Sequence, residues 1–208
     1  MKTIIYVDAF NLYFGALKGT PFKWLDLGSL FARLFPGNDI VGIKYFTARV
    51  RPLPSDPGQP NRQQIYWRAL RSIQDLAIHE GHFLVHTVSM PLASPPAHGS
   101  RFVDVIKAEE KGSDVNLATQ LLCDGFRNNF DTAILVTGDS DLVAPLRVVK
   151  EELGKTVGVV NPQRRPCKPL RDYASFYRQS IRAGVLRVSQ FPQILTDANG
   201  NFHKPPTW

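Results

Sequence analysis

Asp8, Asp114, Asp139 and Asp141 are the side chains of this sequence best placed to do chemistry. Asp8 ends the short apolar run Ile4-Ile5-Tyr6-Val7. Asp139 and Asp141 follow a second run, Ala133-Ile134-Leu135-Val136. Asp114 opens a helical stretch that comes after Phe102, Val105 and Ile106. In a parallel α/β sheet, binding groups collect outside the carboxyl ends of the strands, near the point where strand order reverses. If the first two runs are neighbouring strands, Asp8, Asp139 and Asp141 converge and Asp114 approaches from its helix. Carboxylates crowded together either protonate or are neutralised by a cation. All-oxygen donors without nearby His or Cys select Mg²⁺ or Mn²⁺ over zinc. Such an ion lowers the pKa of a bound water and clamps a phosphodiester. Asn11, three residues after Asp8, could bond the metal shell or substrate, and Lys111 could neutralise a phosphate. Each residue alone also has a structural reading. Asp114 and Asp141 can cap helices, Asp139 can close an Asx turn and Asp8 can tie down a loop. Their recurrence at three strand ends is what points to catalysis.

The elements that must position them read as alternating strands and helices. Ile4–Val7, 133–136 and 156–160 are continuous apolar runs, as expected of strands buried on both faces. Residues 40–50 read as another strand, and Asp26 as the cap of a helix over 27–35 stopped by Pro36-Gly37. Apolar residues from Ile65 to Ala77 recur at helical spacing, which predicts a helix from Asn61 to about Glu80 ended by Gly81. His82–Val88 alternates like a strand, the Pro-rich 90–100 reads as loop, and a short strand is expected near 102–106. Helices follow at 115–126 and 142–153. The expected class is α/β, a three-layer α/β/α sandwich with a central, mostly parallel sheet. Residues 1–161 form the expected catalytic domain. Residues 162–208 are expected to be a basic helical extension and an irregular tail packed on it.

The chain has 208 residues, 43% hydrophobic and 21% charged, which excludes a disordered or collagen-like polymer. No apolar run is long enough for a membrane span. The net charge of +7 favours polyanionic partners. Arg164, Arg165, Lys168, Arg171 and Arg178, interleaved with Tyr173, Phe176 and Tyr177, form the candidate nucleic-acid patch, with a solvated amphipathic helix as the alternative. Cys123 and Cys167 have no metal spacing and suggest a reducing, cytoplasmic setting. His79, His82 and His86 fit no single face cleanly and are read as edge residues rather than ligands.

Three segments carry a resemblance: Tyr6-Val7-Asp8-Ala9-Phe10-Asn11-Leu12, Glu110-Lys111-Gly112-Ser113-Asp114-Val115, and Leu135-Val136-Thr137-Gly138-Asp139-Ser140-Asp141-Leu142. In order and spacing they resemble the NYN domain family, the PIN-like branch that includes LabA-like bacterial proteins. The resemblance implies a PIN-like sandwich, a divalent-metal site of clustered aspartates and ribonuclease activity. Carried onto this chain, it puts the metal on Asp8, Asp114, Asp139 and Asp141, with Asn11 beside the first. Many relatives carry a further acid where this chain has Gln120. The expected function is therefore a metal-dependent endoribonuclease that uses Mg²⁺ or Mn²⁺ to hydrolyse RNA, leaving a 5′-phosphate and a 3′-hydroxyl. The alternative is a catalytically weak RNA-binding module. RNA is the expected partner, no membrane is expected, and the sequence leaves room for a homodimer. A phosphohydrolase of the haloacid-dehalogenase type is disfavoured, because Phe10 stands where a second Asp would be needed.

Overall fold

A computed structural model describes all residues, 1–208. The strands are β1 (Lys2–Asp8), β2 (Asp39–Ala48), β3 (Leu76–Pro91), β4 (Phe102–Lys111), β5 (Thr132–Val136), β6 (Thr156–Asn161), β7 (Phe176–Gln179), β8 (Ile194–Asp197) and β9 (Gly200–His203). The helices are α1 (Ala9–Leu12), α2 (Leu27–Leu34), α3 (Gln59–Leu70), α4 (Ser113–Phe126), α5 (Val143–Arg147), α6 (Lys168–Tyr173) and α7 (Ala183–Val188). A π-helical turn, Tyr13–Leu17, continues α1. β1–β7 form one sheet in the order β4-β3-β2-β1-β5-β6-β7, and every pairing except β3–β4 is parallel.

Alternation along the strands feeds two cores. Ile5 and Val7 of β1 join Ile43 and Tyr45 of β2 in the layer under α2 and α3. Ile4 and Tyr6 face the opposite layer, with Phe46, Leu117, Leu121 and Leu146. β5 is buried from end to end and β1 from Thr3 onward, as their apolar runs require. Asp26 caps α2 by accepting from the Ser29 N–H at 3.0 Å.

Two expectations need correction. The helix predicted over 61–80 ends at Leu70, and β3 begins at Leu76. Ile73 and Leu76 suit helical spacing, but Leu76 and Ile78 pair with Ile43 and Tyr45 at strand period and bury against the same core. Asp75, at φ 58, turns the chain between helix and strand. Residues 162–208 are not simply helical. β7 joins the central sheet beside β6, and β8 and β9 make a hairpin tied to α3 by Arg68, which grips Asp197. Gly158 makes room for β7, since a Cβ there would lie 2.0 Å from the Phe176 ring.

β3 also departs from the sheet. Its first residues pair with β2. From His82 it runs on as an arm paired antiparallel with β4, in register His82↔Lys111 through Pro91↔Phe102. The arm returns the chain to the carboxyl edge of the sheet, where Gly112, at φ 90, turns it into α4.

Candidate active site

The strand order reverses between β1 and β5, and the chain leaves these two neighbours toward opposite layers. Asp8 stands at the end of β1, 3% exposed. Its carboxylate accepts from the Asn11 N–H at 3.0 Å, from Asn11 Nδ2 at 2.6 Å and from the Thr137 hydroxyl at 3.1 Å. Asn11 Oδ1 in turn accepts from the Gly138 N–H at 3.1 Å and from Gln163 Nε2 at 3.2 Å. Thr137 Oγ1 accepts from the Asp139 N–H, and Asp139 Oδ1 from the Asp141 N–H. The loops after β1, β5 and β6 are thus laced into one polar clamp. Gly138 lets them close, because a Cβ would lie 2.7 Å from Asn161 Oδ1 and 2.8 Å from Gln163 Cγ.

The charges of the other acids are felt at Asp114 and Asp8. Burial raises the Asp114 carboxyl, and the charges of Asp8, Asp139, Glu110 and Asp141 raise it further, to about 6. Burial also pushes Asp8 up, with Asp139 adding to the rise against the pull of its three hydrogen bonds. No three His, Cys, Asp or Glu side chains of the chain surround one point closely enough to ligate an ion together. The site is therefore an acidic corner with oxygen donors only. It fits a hard ion that keeps much of its own water and takes one or two carboxylates, as Mg²⁺ does.

The other predicted residues divide. Arg164, Arg165 and Lys168 line a groove of about 670 Å³ whose wall includes Gly138 and Ser140, beside the acidic corner. Arg171 instead lies 4.0 Å from Asp172, and Arg178 packs over the Phe35 ring and reaches the Leu34 carbonyl. Lys111 sits 3.5 Å from Glu109 on the arm, not among the aspartates. Glu110 accepts from the Ser113 N–H at 2.8 Å and so caps α4 while facing Asp114. The three histidines lie along β3, and they gather no metal-ligating set.

Gln120 does not face the corner. Its carbonyl accepts from Lys44 Nζ at 3.0 Å, and Lys44 also donates to Asp124 Oδ2 at 2.6 Å. The Tyr6 hydroxyl (2.7 Å) and Asn129 Nδ2 (3.0 Å) complete the shell around Asp124. Asp124 is thereby a buried structural carboxylate.

Sequence reasoning gave no role to Thr137, Asn161 or Gln163. Asn161 is fully buried. It accepts from the Gln163 N–H and donates to the Arg165 carbonyl, shaping the loop that carries Arg164 and Arg165. An Asn directly after the apolar run Val157–Val160 was the available signal. Sequence reasoning also missed an aromatic chamber of about 400 Å³ on the α3 side of the clamp. Phe10, Tyr13, Tyr45, Tyr66, Trp67 and Trp208 wall it. Phe14, 56% exposed, borders both this chamber and the cationic groove.

The NYN domain family matches residues 2–180. The chain belongs to the NYN domain family. NYN domains fall within the PIN-like nuclease superfamily, and the sheet with helices on both faces is the sandwich that membership implies. The match runs past residue 161 to take in β7. A curated relative, 6-hydroxy-3-succinoylpyridine 3-monooxygenase HspA of Pseudomonas putida (strain DSM 28022 / S16), is 30% identical over an alignment spanning 100% of this chain and 75% of that protein. A solved protein of unknown function from Vibrio parahaemolyticus RIMD 2210633 superposes with a TM-score of 0.56 at 18% identity, over 86% of this chain and 91% of that one. That likeness concerns the fold alone. No helix of this NYN protein is long and apolar enough to cross a membrane.

Proposed function

We propose that this NYN protein is a metal-dependent nuclease that hydrolyses RNA. The observation that carries the reading is the cationic groove of Arg164, Arg165 and Lys168 opening beside the acidic corner at Gly138 and Ser140. A phosphate backbone following the groove passes the carboxylates. Asp8, Asp114, Asp139 and Asp141 would hold Mg²⁺ or Mn²⁺, directly or through water, and the ion would supply charge neutralisation and an acidified water. The remaining work belongs to the chain itself. Asn11 and Thr137 fix the orientation of Asp8, and their bonds to the β5 and β6 loops keep the corner and the groove in register. The three basic side chains grip the backbone on either side of the bond to be cut.

The test is cleavage of single-stranded and structured RNA with Mn²⁺. Asp8→Asn and Asp139→Asn are each expected to lower the rate at least about a hundredfold, the several kcal/mol that metal-binding groups contribute. Cleavage that is absent from the unaltered protein, or that survives both substitutions, defeats the reading.

A second reading comes from the Pseudomonas putida relative, whose name describes oxygenation of a hydroxypyridine acid. The aromatic chamber favours it. Such chemistry needs dioxygen and an electron-carrying cofactor. Oxygen uptake driven by 6-hydroxy-3-succinoylpyridine, with NADH and flavin supplied, is its signature. Uptake indifferent to that compound removes it.

A further inference from the structure

The aromatic chamber and the cationic groove share a wall, and that wall is Phe14. The chamber is lined with faces and edges that suit a flat ring. Tyr45 meets Tyr66 edge-on with centroids 6.4 Å apart, and Tyr66 meets Trp208 at 5.5 Å. Tyr13 stands edge-on to Phe14 at 5.3 Å. Its volume of about 400 Å³ lies within the roughly 300–1,000 Å³ of small-ligand sites and suits one ring system with a substituent. Two cations, Lys23 and Arg62, line it against one acid, Asp56. Arg62 is already paired with Asp56, so the Lys23 charge is left over. Thr47, Gln59, Gln63 and Thr207 add uncharged polar groups to the aromatic and aliphatic lining. Stacking surfaces with a surplus positive charge at one side recognise an aromatic anion.

We infer that the chamber is a binding site for one planar heteroaromatic ring carrying an anionic group. Two sources have that chemistry. One is a nucleotide of the strand in the cationic groove, its base turned past Phe14 into the chamber and its phosphate near Lys23. The other is a free heteroaromatic acid. The first source rests on the nuclease reading, whereas the chamber itself does not.

The experiment is saturation-transfer NMR with adenosine 5′-monophosphate, uridine 5′-monophosphate and nicotinate. It uses the Asp8→Asn protein, so that no outcome depends on cleavage. Transfer to ring protons is expected, and Trp208→Ala and Lys23→Glu are each expected to weaken binding about tenfold, as loss of one stacking or charge partner does. Lys23 is only partly buried, so Lys23→Glu tests the site without opening the core. A short oligoribonucleotide separates the sources. If Phe14→Ala weakens the oligonucleotide but not the mononucleotides, the strand supplies the ring. If nicotinate binds and Phe14→Ala changes nothing, the ligand is a free acid. Either result upholds the site. Absence of transfer to all three probes, or transfer that neither Trp208→Ala nor Lys23→Glu weakens, overturns it. Because cleavage is scored separately, failure here leaves the nuclease reading standing, and failure there leaves this one.

Discussion

Helix α4 carries a buried or half-buried aspartate near each end, and the two live in opposite surroundings. Asp124, near its carboxyl end, is surrounded by donors: Lys44, Tyr6 and Asn129 all reach it. Burial alone would raise its carboxyl, but those bonds hold it below the usual carboxylate range. Asp114, in the first turn, has no cation beside it and faces four other acids, and its carboxyl is held near 6. One carboxylate has been given everything it needs by the chain; the other has been left wanting positive charge. Carboxyls raised by burial and by like charges gather at functional sites, and the proposed metal ion would supply the missing charge.

Asp124→Asn leaves the Lys44 ammonium partly buried without its counter-charge and should cost about 3 kcal/mol, in the range for breaking one side of a buried pair. Urea unfolding measures this. Asp139→Asn, which relieves crowding at the other end, should leave stability equal or higher in EDTA. Equal losses for both variants would erase the distinction.

The two ends also respond oppositely to acid. Asp114 has a folded pKa above its unfolded one, so the folded state holds the proton more tightly, and stability falls as pH rises from about 4 through 6. Asp124 has a depressed folded pKa, so its contribution is complete above the ordinary carboxylate value and is lost as pH falls below it. In EDTA, the melting temperature of Asp114→Asn should therefore gain on the unaltered protein between pH 4 and 7 and then level off. Added Mn²⁺ at pH 7 should close that gap by stabilising the unaltered protein.

Smaller effects sharpen the picture of the groove. Arg164→Ala and Arg165→Ala should each lower the salt dependence of single-stranded RNA binding by about 0.7 in log–log slope, one phosphate contact apiece. Arg171→Ala and Arg178→Ala, whose side chains are engaged elsewhere, should leave the slope unchanged. Smallest of all is Gln120→Glu. A carboxylate there meets Lys44, so the metal dependence of cleavage should stay within about twofold, the order of a surface-pair effect.

How far the sequence could be read depends on the distance over which each feature is built. The ends of β1 and β5 were legible because an apolar run followed by Asp states both strand and site within a few residues. The capping of α2 by Asp26 was legible for the same reason. The bonds Thr137–Asp8 and Gln163–Asn11 join residues 129 and 152 positions apart, and no local pattern announces them. The aromatic chamber is assembled from segments as far apart as Phe10 and Trp208, each of which alone looks like ordinary core. The helix predicted over 61–80 was overextended because Leu76 stands at helical spacing from Ile73 and at strand spacing from Ile78, and only the neighbouring strand β2 decides between them.

The β3–β4 arm governs where α4 begins. Asp114 is set in place by a ladder of paired residues that begins at His82 and Lys111, rather than by a free loop. Its outer rungs hold nothing at the acidic corner. Trimming matched residues from both strands at the Pro91–Phe102 end would leave the lowest rung, the Gly112 turn and the start of α4 where they stand. The arm's reach is thus free to vary while its root is not.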